Sequence, residues 1–218
     1  SLQSTTSLIG RTQGRLSTGL KVASALDDAS AFFTARSLSN RAADLSAVKD
    51  KIDQAISGVS NAVQAIDSAT EIVEQIKGVA ESAKSATTAA ERSTLANQAE
   101  TLAVQLNNLI NDSSYNGVNL VKASPDNMQV NFNENATVEL TVVGTNLSAA
   151  NLGANISTAS NNWGTVGDIN ADLDEYASSL GQLRTAASTL GSQTTLLQTR
   201  LDFLTSMVNT LSEGADKL

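Results

Sequence analysis

Residues 173–211, LDEYASSLGQLRTAASTLGSQTTLLQTRLDFLTSMVNTL, contain the most regular pattern in the chain. Apolar or compatible residues recur there at alternating steps of three and four positions. They are Leu173, Tyr176, Leu180, Leu183, Ala187, Leu190, Thr194, Leu197, Leu201, Leu204, Val208 and Leu211. This spacing lays one stripe along a helix for about five heptads. The stretch therefore predicts a long helix with coiled-coil packing.

A second stripe runs through residues 45–73 with the same steps. Its members are Leu45, Val48, Ile52, Ile56, Val59, Val63, Ile66, Thr70 and Val73. The two consecutive four-residue steps from Val48 to Ile56 form a stutter, which relaxes left-handed supercoiling. Because no proline precedes Pro125, a long helix can form here without interruption. We predict this helix over about residues 29–84.

Asp27 and Asp28 stand immediately before the predicted start of that helix. A carboxylate in this place accepts hydrogen bonds from free backbone amides and complements the positive end of the helix dipole. A divalent-metal site is the weaker interpretation, because consecutive residues at a helix start do not face one another as ligands do. We interpret the pair as capping residues.

Two further helices are predicted. A short stripe of Leu and Ala at the same spacing predicts one over about residues 90–111, antiparallel to the first because the connection is short. The coiled-coil stripe predicts the other over about residues 168–214, with Asp168 as its N-cap. Negative charge in its first turns comes from Asp172, Asp174 and Glu175, whose spacing does not fit an EF-hand loop.

Between the last two helices the sequence changes to short alternating runs around a polar centre. This alternation predicts a β-hairpin at about residues 128–143. Residues 144–167, rich in Gly, Asn, Ser and Ala, are expected to form a loop or a small irregular cap, with Trp163 packed on it. The fold class is therefore mainly α, an elongated bundle or coiled coil of three long helices with a small hairpin.

Composition limits the function. The chain has 14 Lys or Arg against 22 Asp or Glu, and neither Cys nor His. Without a basic cluster a nucleic-acid partner is not expected, and without Cys or His the usual zinc ligands and the commonest general base are missing. No apolar run approaches the ~20 residues of a membrane span. We expect a structural protein that is not an enzyme, with no cofactor, no metal and no membrane insertion.

The stripes account first for the core of one bundle within the chain. A second interpretation, contacts between subunits, stays open at the level of sequence. Small residues, Ala, Ser and Thr, occupy the other helix faces and would let neighbouring molecules approach closely. We expect assembly contacts on those faces.

Residues 15–30, RLSTGLKVASALDDAS, resemble the N-terminal signature of bacterial flagellins. The signature positions are Arg15, Leu16, Ser17, Gly19, Asp27 and Asp28. Residues 107–120, NNLINDSSYNGVNL, are similar to the turn after that family's second helix, and residues 202–218 resemble the part before its last helix. The resemblance covers essentially the whole chain.

The resemblance implies a secreted subunit that self-assembles into the extracellular filament of the bacterial flagellum, the propeller for motility. Residues 28–218 would form the rod-like inner-tube domain, and residues 1–27 a remnant of the N-terminal helix with the spoke at 17–27. The expected partners are other flagellin subunits, the flagellar cap and hook-associated proteins, and a type III export chaperone. Since the family's C-terminal helix is absent, we expect a trimmed chain.

The resemblance also bears on immune sensing. Flagellins detected by the flagellin-sensing Toll-like receptor carry a basic, arginine-bearing patch on the first long helix. At the similar place this chain has Glu71, Glu74 and Gln75. Because acidic side chains stand where arginine is expected, we predict weak or no activation of the receptor.

Other functions remain in competition. A hook–filament junction protein would share the helical termini, although the signature at residues 15–30 favours flagellin. A helical binding module or adhesin could share the stripes but has no reason to carry that signature. An enzyme is the weakest alternative, because the helix-start carboxylates are the only catalytic candidates.

Overall fold

The computed structural model describes residues 2–19, 22 and 24–218. Helices dominate the described residues, and the two strands pair as one small antiparallel sheet. In chain order the elements are α1 (Leu2–Thr18), α2 (Ala29–Ser85), α3 (Ala89–Asp112), β1 (Met128–Asn131), β2 (Glu139–Val142), α4 (Ala149–Leu152), α5 (Ala154–Ser157), a 3₁₀ turn (Ser160–Trp163) and α6 (Val166–Asp216). The predicted fold class, with three long helices and a hairpin, is confirmed.

The chain divides into two compact units. Unit 1 comprises Ser1–Ile52, Asn131–Glu139 and Thr199–Leu218. Unit 2 comprises Asp53–Val130 and Leu140–Gln198. The hairpin tip thus belongs to unit 1, whereas α3 and the segment before α6 belong to unit 2.

The start of α2 shows which aspartate caps it. The Asp28 carboxylate accepts a hydrogen bond from the Ala31 amide at 3.0 Å, and the Asp28 carbonyl oxygen accepts the first helical bond from Phe32. Asp27 instead accepts a hydrogen bond from the Ser24 hydroxyl in the preceding turn, at 3.3 Å. The predicted capping role is confirmed for Asp28. It was wrong for Asp27, which precedes the cap position by one residue and accepts no hydrogen bond from the amides of α2.

Both α3 and α6 begin with reciprocal caps. The Thr88 hydroxyl accepts from the Glu91 amide at 3.2 Å, and the Glu91 carboxylate accepts from the Thr88 amide at 3.1 Å. Thr165 and Asp168 repeat this arrangement at α6, where the Asp168 amide donates to the Thr165 hydroxyl at 3.2 Å. The prediction that Asp168 is the N-cap was therefore wrong. Asp168 lies inside α6, because Thr165, three residues earlier, occupies the cap position.

In unit 2 the predicted stripes form the core, joined by alanines. Val59, Ile66 and Val73 are buried on the part of α2 that belongs to unit 2. The buried alanines of the unit are Ala55, Ala62, Ala65, Ala69, Ala80, Ala83, Ala96, Ala99, Ala103, Ala149, Ala159 and Ala186. Side chains this small allow the helices of one chain to pack closely.

Helices α2 and α3 run antiparallel in unit 2. Residues 61–72 of α2 and residues 105–112 of α3 line the two sides of one groove, and they are about equally far from the turn between the helices. That turn is short, since α2 ends at Ser85 and α3 begins at Ala89. The antiparallel pair predicted from the connection length is confirmed.

In unit 1 the core is built by the first half of α2, the end of α6 and the hairpin tip. Leu45 and Val48 are buried on α2, Leu204 is buried on α6, and Phe132 is buried at the hairpin. Helix α1 contributes nothing to this core, since each of residues 2–17 is exposed.

The predicted hairpin is confirmed, and it is closed at its tip by a hydrogen bond from the Phe132 amide to the Val138 carbonyl oxygen, 2.8 Å. Residues 144–167 are more ordered than expected, because they contain α4, α5 and the 3₁₀ turn. Their buried side chains recur, from Ala149 onward, at alternating steps of three and four residues, although no single helix spans the segment. They are Leu147, Ala149, Leu152, Ile156, Ala159 and Trp163.

Candidate assembly surfaces

Helix α1 is an exposed helix with apolar side chains. Leu2 is 84 % exposed and Leu16 is 79 % exposed, and both Leu8 and Ile9 are exposed as well. The helix ends in the family-like signature, where Gly19 has φ +71° and its amide donates to the Arg15 carbonyl oxygen at 2.8 Å. Glycine adopts this left-handed conformation without a steric penalty, so Gly19 serves as the C-terminal cap.

The structure spreads the signature residues over two helix ends. Arg15, Leu16 and Ser17 lie exposed in the last turns of α1, whereas Asp27 and Asp28 lie at the start of α2. Residues 20, 21 and 23, and with them part of the predicted spoke, lie outside the described residues. The signature thus marks the end of one helix and the start of the next rather than one side-chain cluster.

The rest of unit 1 also exposes large apolar side chains. Leu26 is 98 % exposed and Phe33 is 64 % exposed, with its ring edge-on to Phe32 at a centroid distance of 5.6 Å. Phe203 on α6 and Val138 at the hairpin tip are exposed too. Eight of the twelve large apolar side chains that are exposed in the described residues belong to unit 1. Such a concentration is typical of an interaction surface.

The hairpin tip is held on unit 1 by two arginines. Arg41 of α2 pairs with the Glu134 carboxylate at 3.0 Å, and the Arg200 guanidinium of α6 lies 5.0 Å from the centre of the Phe132 ring. Hydrogen bonding from its own backbone amide, and then from Arg41, lowers the pKa of Glu134. The tip is therefore fixed by one ion pair and one cation–π contact.

Charge is distributed unequally between the units. Unit 1 contains nine basic and nine acidic residues, whereas unit 2 contains five basic and thirteen acidic ones. The whole net charge of −8 therefore lies in unit 2. Unit 1 combines electrical neutrality with exposed apolar side chains, which favours association, and unit 2 carries the charge that favours solvation.

An acidic stripe follows one exposed face of α2 in unit 2. Asp67, Glu71, Glu74 and Glu81 are exposed and fall at steps of four, three and seven residues, which places them on one face. Gln75 lies beside them and is also exposed. The residues predicted to replace the arginine-bearing receptor patch are thus accessible on the surface.

Residues 153–165, which we call the strap, are held on unit 2 by side chains of α3 and α6. From α3, Glu100 accepts the Ala159 amide at 3.1 Å, and Arg92 donates to the carbonyl oxygens of Trp163 and Gly164 at 3.1 and 2.8 Å. From α6, the Glu175 carboxylate accepts the Asn155 amide at 3.2 Å. These bonds satisfy backbone groups that the irregular strap cannot pair within itself.

Trp163 fixes the end of the strap. Its side chain is fully buried, and its indole N–H donates to the buried Asp172 carboxylate at 2.7 Å; the same oxygen accepts the Ser160 amide at 2.9 Å. Asn161, Asn162 and Trp163 all have positive φ, between 46° and 57°. Consecutive non-glycine residues in this region are strained and persist only where surrounding contacts impose them.

The acidic group at the start of α6 therefore does more than complement the helix dipole. Asp168 completes the cap, Asp172 binds Trp163 and Glu175 binds the strap, while Asp174 stays exposed. The interpretation as helix-start charge alone was wrong for Asp172 and Glu175. Their partners lie 9 and 20 residues earlier, a separation at which sequence spacing gives no signal.

Within residues 2–19, 22 and 24–218 there is no group of three acidic, His or Cys side chains placed to hold a metal ion. In the same described residues no helix combines the length and the apolarity that crossing a membrane requires. The groove between α2 and α3 is open to solvent and is lined mainly by amide and hydroxyl side chains.

Comparison with known proteins places this architecture. The sequence profile described as the bacterial flagellin N-terminal helical region matches residues 1–125. Among solved structures, a crystal structure of Bacillus cereus flagellin matches with a TM-score of 0.59 and 12 % identity, covering 71 % of this chain and 88 % of that one. No curated protein matches the chain in sequence.

The long helices and the small antiparallel hairpin of the described residues define a mainly helical protein. Because the profile covers more than half of the sequence, the chain belongs to the bacterial flagellin family, whose members are structural subunits of the flagellar filament. The solved structure supports the fold of that family independently.

Proposed function

We propose that this protein polymerises with copies of itself into the flagellar filament that drives bacterial motility. The observation that carries the proposal is the surface of unit 1, where α1, Phe33 and Phe203 expose apolar side chains on an electrically neutral background. Burying such surface against neighbouring copies is favourable by about 25 cal/mol per Å² of apolar area. A monomer that leaves this apolar surface in water does not obtain this favourable free energy.

The domain roles follow the same proposal. Residues 28–218 serve as the inner-tube domain, and residues 1–27 serve as an inward-directed helix and spoke. We assign the hairpin at residues 128–143 to the small adjustments that set filament handedness. Its tip joins both long helices of unit 1, through an ion pair with Arg41 of α2 and a cation–π contact with Arg200 of α6, and such a link between helices supports this role.

Secretion and partners complete the proposed role. The protein is exported by the flagellar type III route with a chaperone, and it is added to the filament beneath the cap, above the hook-associated proteins. Its final place is outside the cell. Support comes from membership of the flagellin family.

Complementation tests the function. The full-length protein that contains this chain is expressed in a bacterium from which its flagellin gene has been deleted, and swimming and filaments are examined by microscopy. We expect long filaments and restored swimming. A short collar at the hook without a filament would instead support the junction protein, and a soluble secreted monomer would support a binding module.

We further propose weak or no activation of the flagellin-sensing Toll-like receptor. Glu71, Glu74 and Gln75 expose acidic or neutral side chains where an arginine-bearing patch is expected. Reporter cells with the receptor should respond weakly to the full-length protein. Glu74→Arg should raise the response, whereas Glu81→Arg on the same exposed stripe is the control. Strong signalling by the unchanged protein at low concentration would refute the proposal.

A further inference from the structure

The sequence contains one Asn-Gly pair, Asn116 and Gly117, and it forms the tip of a tight turn after α3. Tyr115 and Val118 exchange two backbone hydrogen bonds across this turn, at 2.9 and 3.0 Å. Both residues at the tip have positive φ, 49° for Asn116 and 79° for Gly117. These values are typical of a type I′ turn, for which Asn-Gly is a preferred sequence.

The two groups at this tip that can react with one another are unhindered. Asn116 and Gly117 are both exposed, and a Cβ atom built at Gly117 would meet nothing within 4 Å. Within the part of the chain that the structure describes, neither the Gly117 amide nor the Asn116 side chain has a hydrogen-bond partner. The Gly117 nitrogen therefore has neither a hydrogen bond nor a side chain of its own that would hinder attack on the Asn116 amide carbon.

Asparagine is among the chemically labile residues, and here the attack closes a ring. The Gly117 backbone nitrogen bonds to the Asn116 Cγ atom and gives up its proton, and the side-chain nitrogen takes up a proton and leaves as ammonia. The product is a cyclic imide, and water opens it at either of its two C–N bonds. One opening gives aspartate with the original backbone. The other gives isoaspartate, whose backbone runs through the side chain and is longer by a methylene group.

The closed turn opposes this ring closure. The Asn116 side chain and the Gly117 nitrogen have to come within bonding distance, so the backbone at the tip has to rotate. The two hydrogen bonds between Tyr115 and Val118 resist that rotation. The Tyr115 ring adds to the restraint because it packs on Gly58 of α2, where a Cβ atom would lie 3.4 Å from the ring. The reaction therefore proceeds from molecules in which the turn has opened.

Opening of the turn leaves the structure around it folded. Asn119, directly after the turn, is buried, and its side-chain amide donates to the Ile110 and Asn111 carbonyl oxygens at the end of α3. These bonds close the base of the loop independently of the hydrogen bonds at its tip. An exposed tip above a fixed base belongs to the parts of a protein that open locally at a low free-energy cost.

We propose that Asn116 is a site of spontaneous deamidation in the folded protein, and that opening of the turn between Tyr115 and Val118 controls its rate. The reaction needs water as its co-reactant, and the loss of ammonia makes it irreversible. An aspartate at this position still suits the turn, since Asp-Gly is also a preferred sequence. Isoaspartate lengthens the backbone of the tip, so the two hydrogen bonds across the turn no longer match. The modification accumulates with the age of each molecule, whether or not it has assembled.

Peptide mapping by mass spectrometry tests the site. The folded protein is incubated in mildly alkaline buffer and digested after Lys and Arg, which places Asn116 in the peptide of residues 93–122. An endoproteinase that cuts before aspartate but not before isoaspartate distinguishes the two products. We expect acid to form at Asn116 at least several-fold faster than at Asn135. That asparagine is also exposed, but the amide that follows it, of Ala136, donates to the Asn133 carbonyl oxygen at 3.3 Å. Equal rates at the two asparagines would overturn the proposal.

Variants test the control by the turn, with circular dichroism to show that each one is folded. Tyr115→Ala removes the ring that packs on Gly58 and should raise the rate of acid formation at Asn116 several-fold. Val104→Ala, at an exposed apolar position of α3, is the matched control and should leave the rate unchanged. Asn116→Gly keeps a Gly-Gly turn sequence and should abolish the acidic product at the turn. An unchanged rate in the folded Tyr115 variant, or an undiminished yield of acidic peptide in the Asn116 variant, would overturn the proposal.

Discussion

Asn119 organises the turn that follows α3. Its side chain is almost fully buried; the amide donates to the Ile110 and Asn111 carbonyl oxygens at 2.8 and 3.1 Å, and its oxygen accepts from the Val121 and Lys122 amides at 2.9 and 3.0 Å. One side chain therefore provides hydrogen-bond partners for backbone carbonyl groups at the end of α3 and for backbone amides at the start of the next segment. No other residue type offers two donors and an acceptor in this geometry except glutamine, which is longer.

Replacing Asn119 with alanine leaves these buried backbone groups without partners. Each unsatisfied group costs about 1–3 kcal/mol, so Asn119→Ala should reduce the free energy of unfolding by about 3 kcal/mol. Chemical denaturation measures it. Asn108→Ala, at an exposed position of α3, is the control and should change stability by less than about 0.5 kcal/mol. Equal stability of the two variants would contradict the assigned role of Asn119.

Gly144 is required by a close approach of two backbone segments. A Cβ atom there would overlap the Asp126 carbonyl oxygen and lie 2.6 Å from the Pro125 Cβ atom. Gly144→Ala should therefore destabilise the protein by about 1–3 kcal/mol. Gly78→Ala, where nothing lies within 4 Å on α2, should stabilise it by about 0.5–1 kcal/mol. Thermal unfolding of both variants checks the opposite signs, and two shifts in the same direction would refute the steric argument.

At the scale of elements, the caps of the helices decide where they begin. Sequence periodicity located the three long helices. In α6, for example, a stripe of twelve positions is compatible only with a continuous helix. The sequence pattern placed the N-cap of α6 at Asp168 and missed Thr165, because both residue types are good caps and the outcome depends on which backbone amide each one reaches.

The cap of α3 also makes stability depend on pH. Hydrogen bonds from the Thr88 backbone, then from the Thr88 hydroxyl and from Thr87, lower the pKa of Glu91 below its usual 4.5. Its contribution is therefore complete at neutral pH and fades as the pH falls below about 4.5. Glu91→Gln keeps the capping box without titrating, so the loss of stability between pH 5 and pH 3 should be smaller in this variant.

Denaturant unfolding at several pH values tests this prediction. Glu81→Gln, an exposed carboxylate on α2 with a single 3.8 Å contact to Lys84, is the control. The slope of stability against pH should differ between the Glu91 variant and the unchanged protein, and should remain nearly the same in the control. An unchanged slope in both would show that the cap is not charged in the folded protein.

The strap shows the limit of prediction from sequence at this scale. Its composition correctly indicated an irregular segment, and the burial of Trp163 was expected. The residues that hold it, Arg92, Glu100 and Glu175, gave no signal, because a bond between distant residues leaves no period in the sequence. Long-range contacts of this kind depend on the assembled fold.

At the scale of the whole molecule, charge and apolar exposure are segregated. Of the large apolar side chains that are exposed in the described residues, most belong to the neutral unit 1. Unit 2 carries the full net charge of −8. Composition showed the acidity but not this division, because unit 1 collects three separate stretches of the chain. The family, in contrast, was recognisable from the signature at residues 15–30, which is continuous in sequence.

The central claim is that the apolar surface of unit 1 drives polymerisation, and electron microscopy of the purified full-length protein tests it most directly. Filament length and the concentration at which filaments first form are compared for Phe33→Ser, Phe203→Ser and the control Val166→Ser, an exposed apolar position in unit 2. We predict that the control forms filaments like the unchanged protein, whereas the unit 1 variants fold but need a higher concentration or form none. Normal filaments from both phenylalanine variants, at an unchanged threshold concentration, would contradict the account.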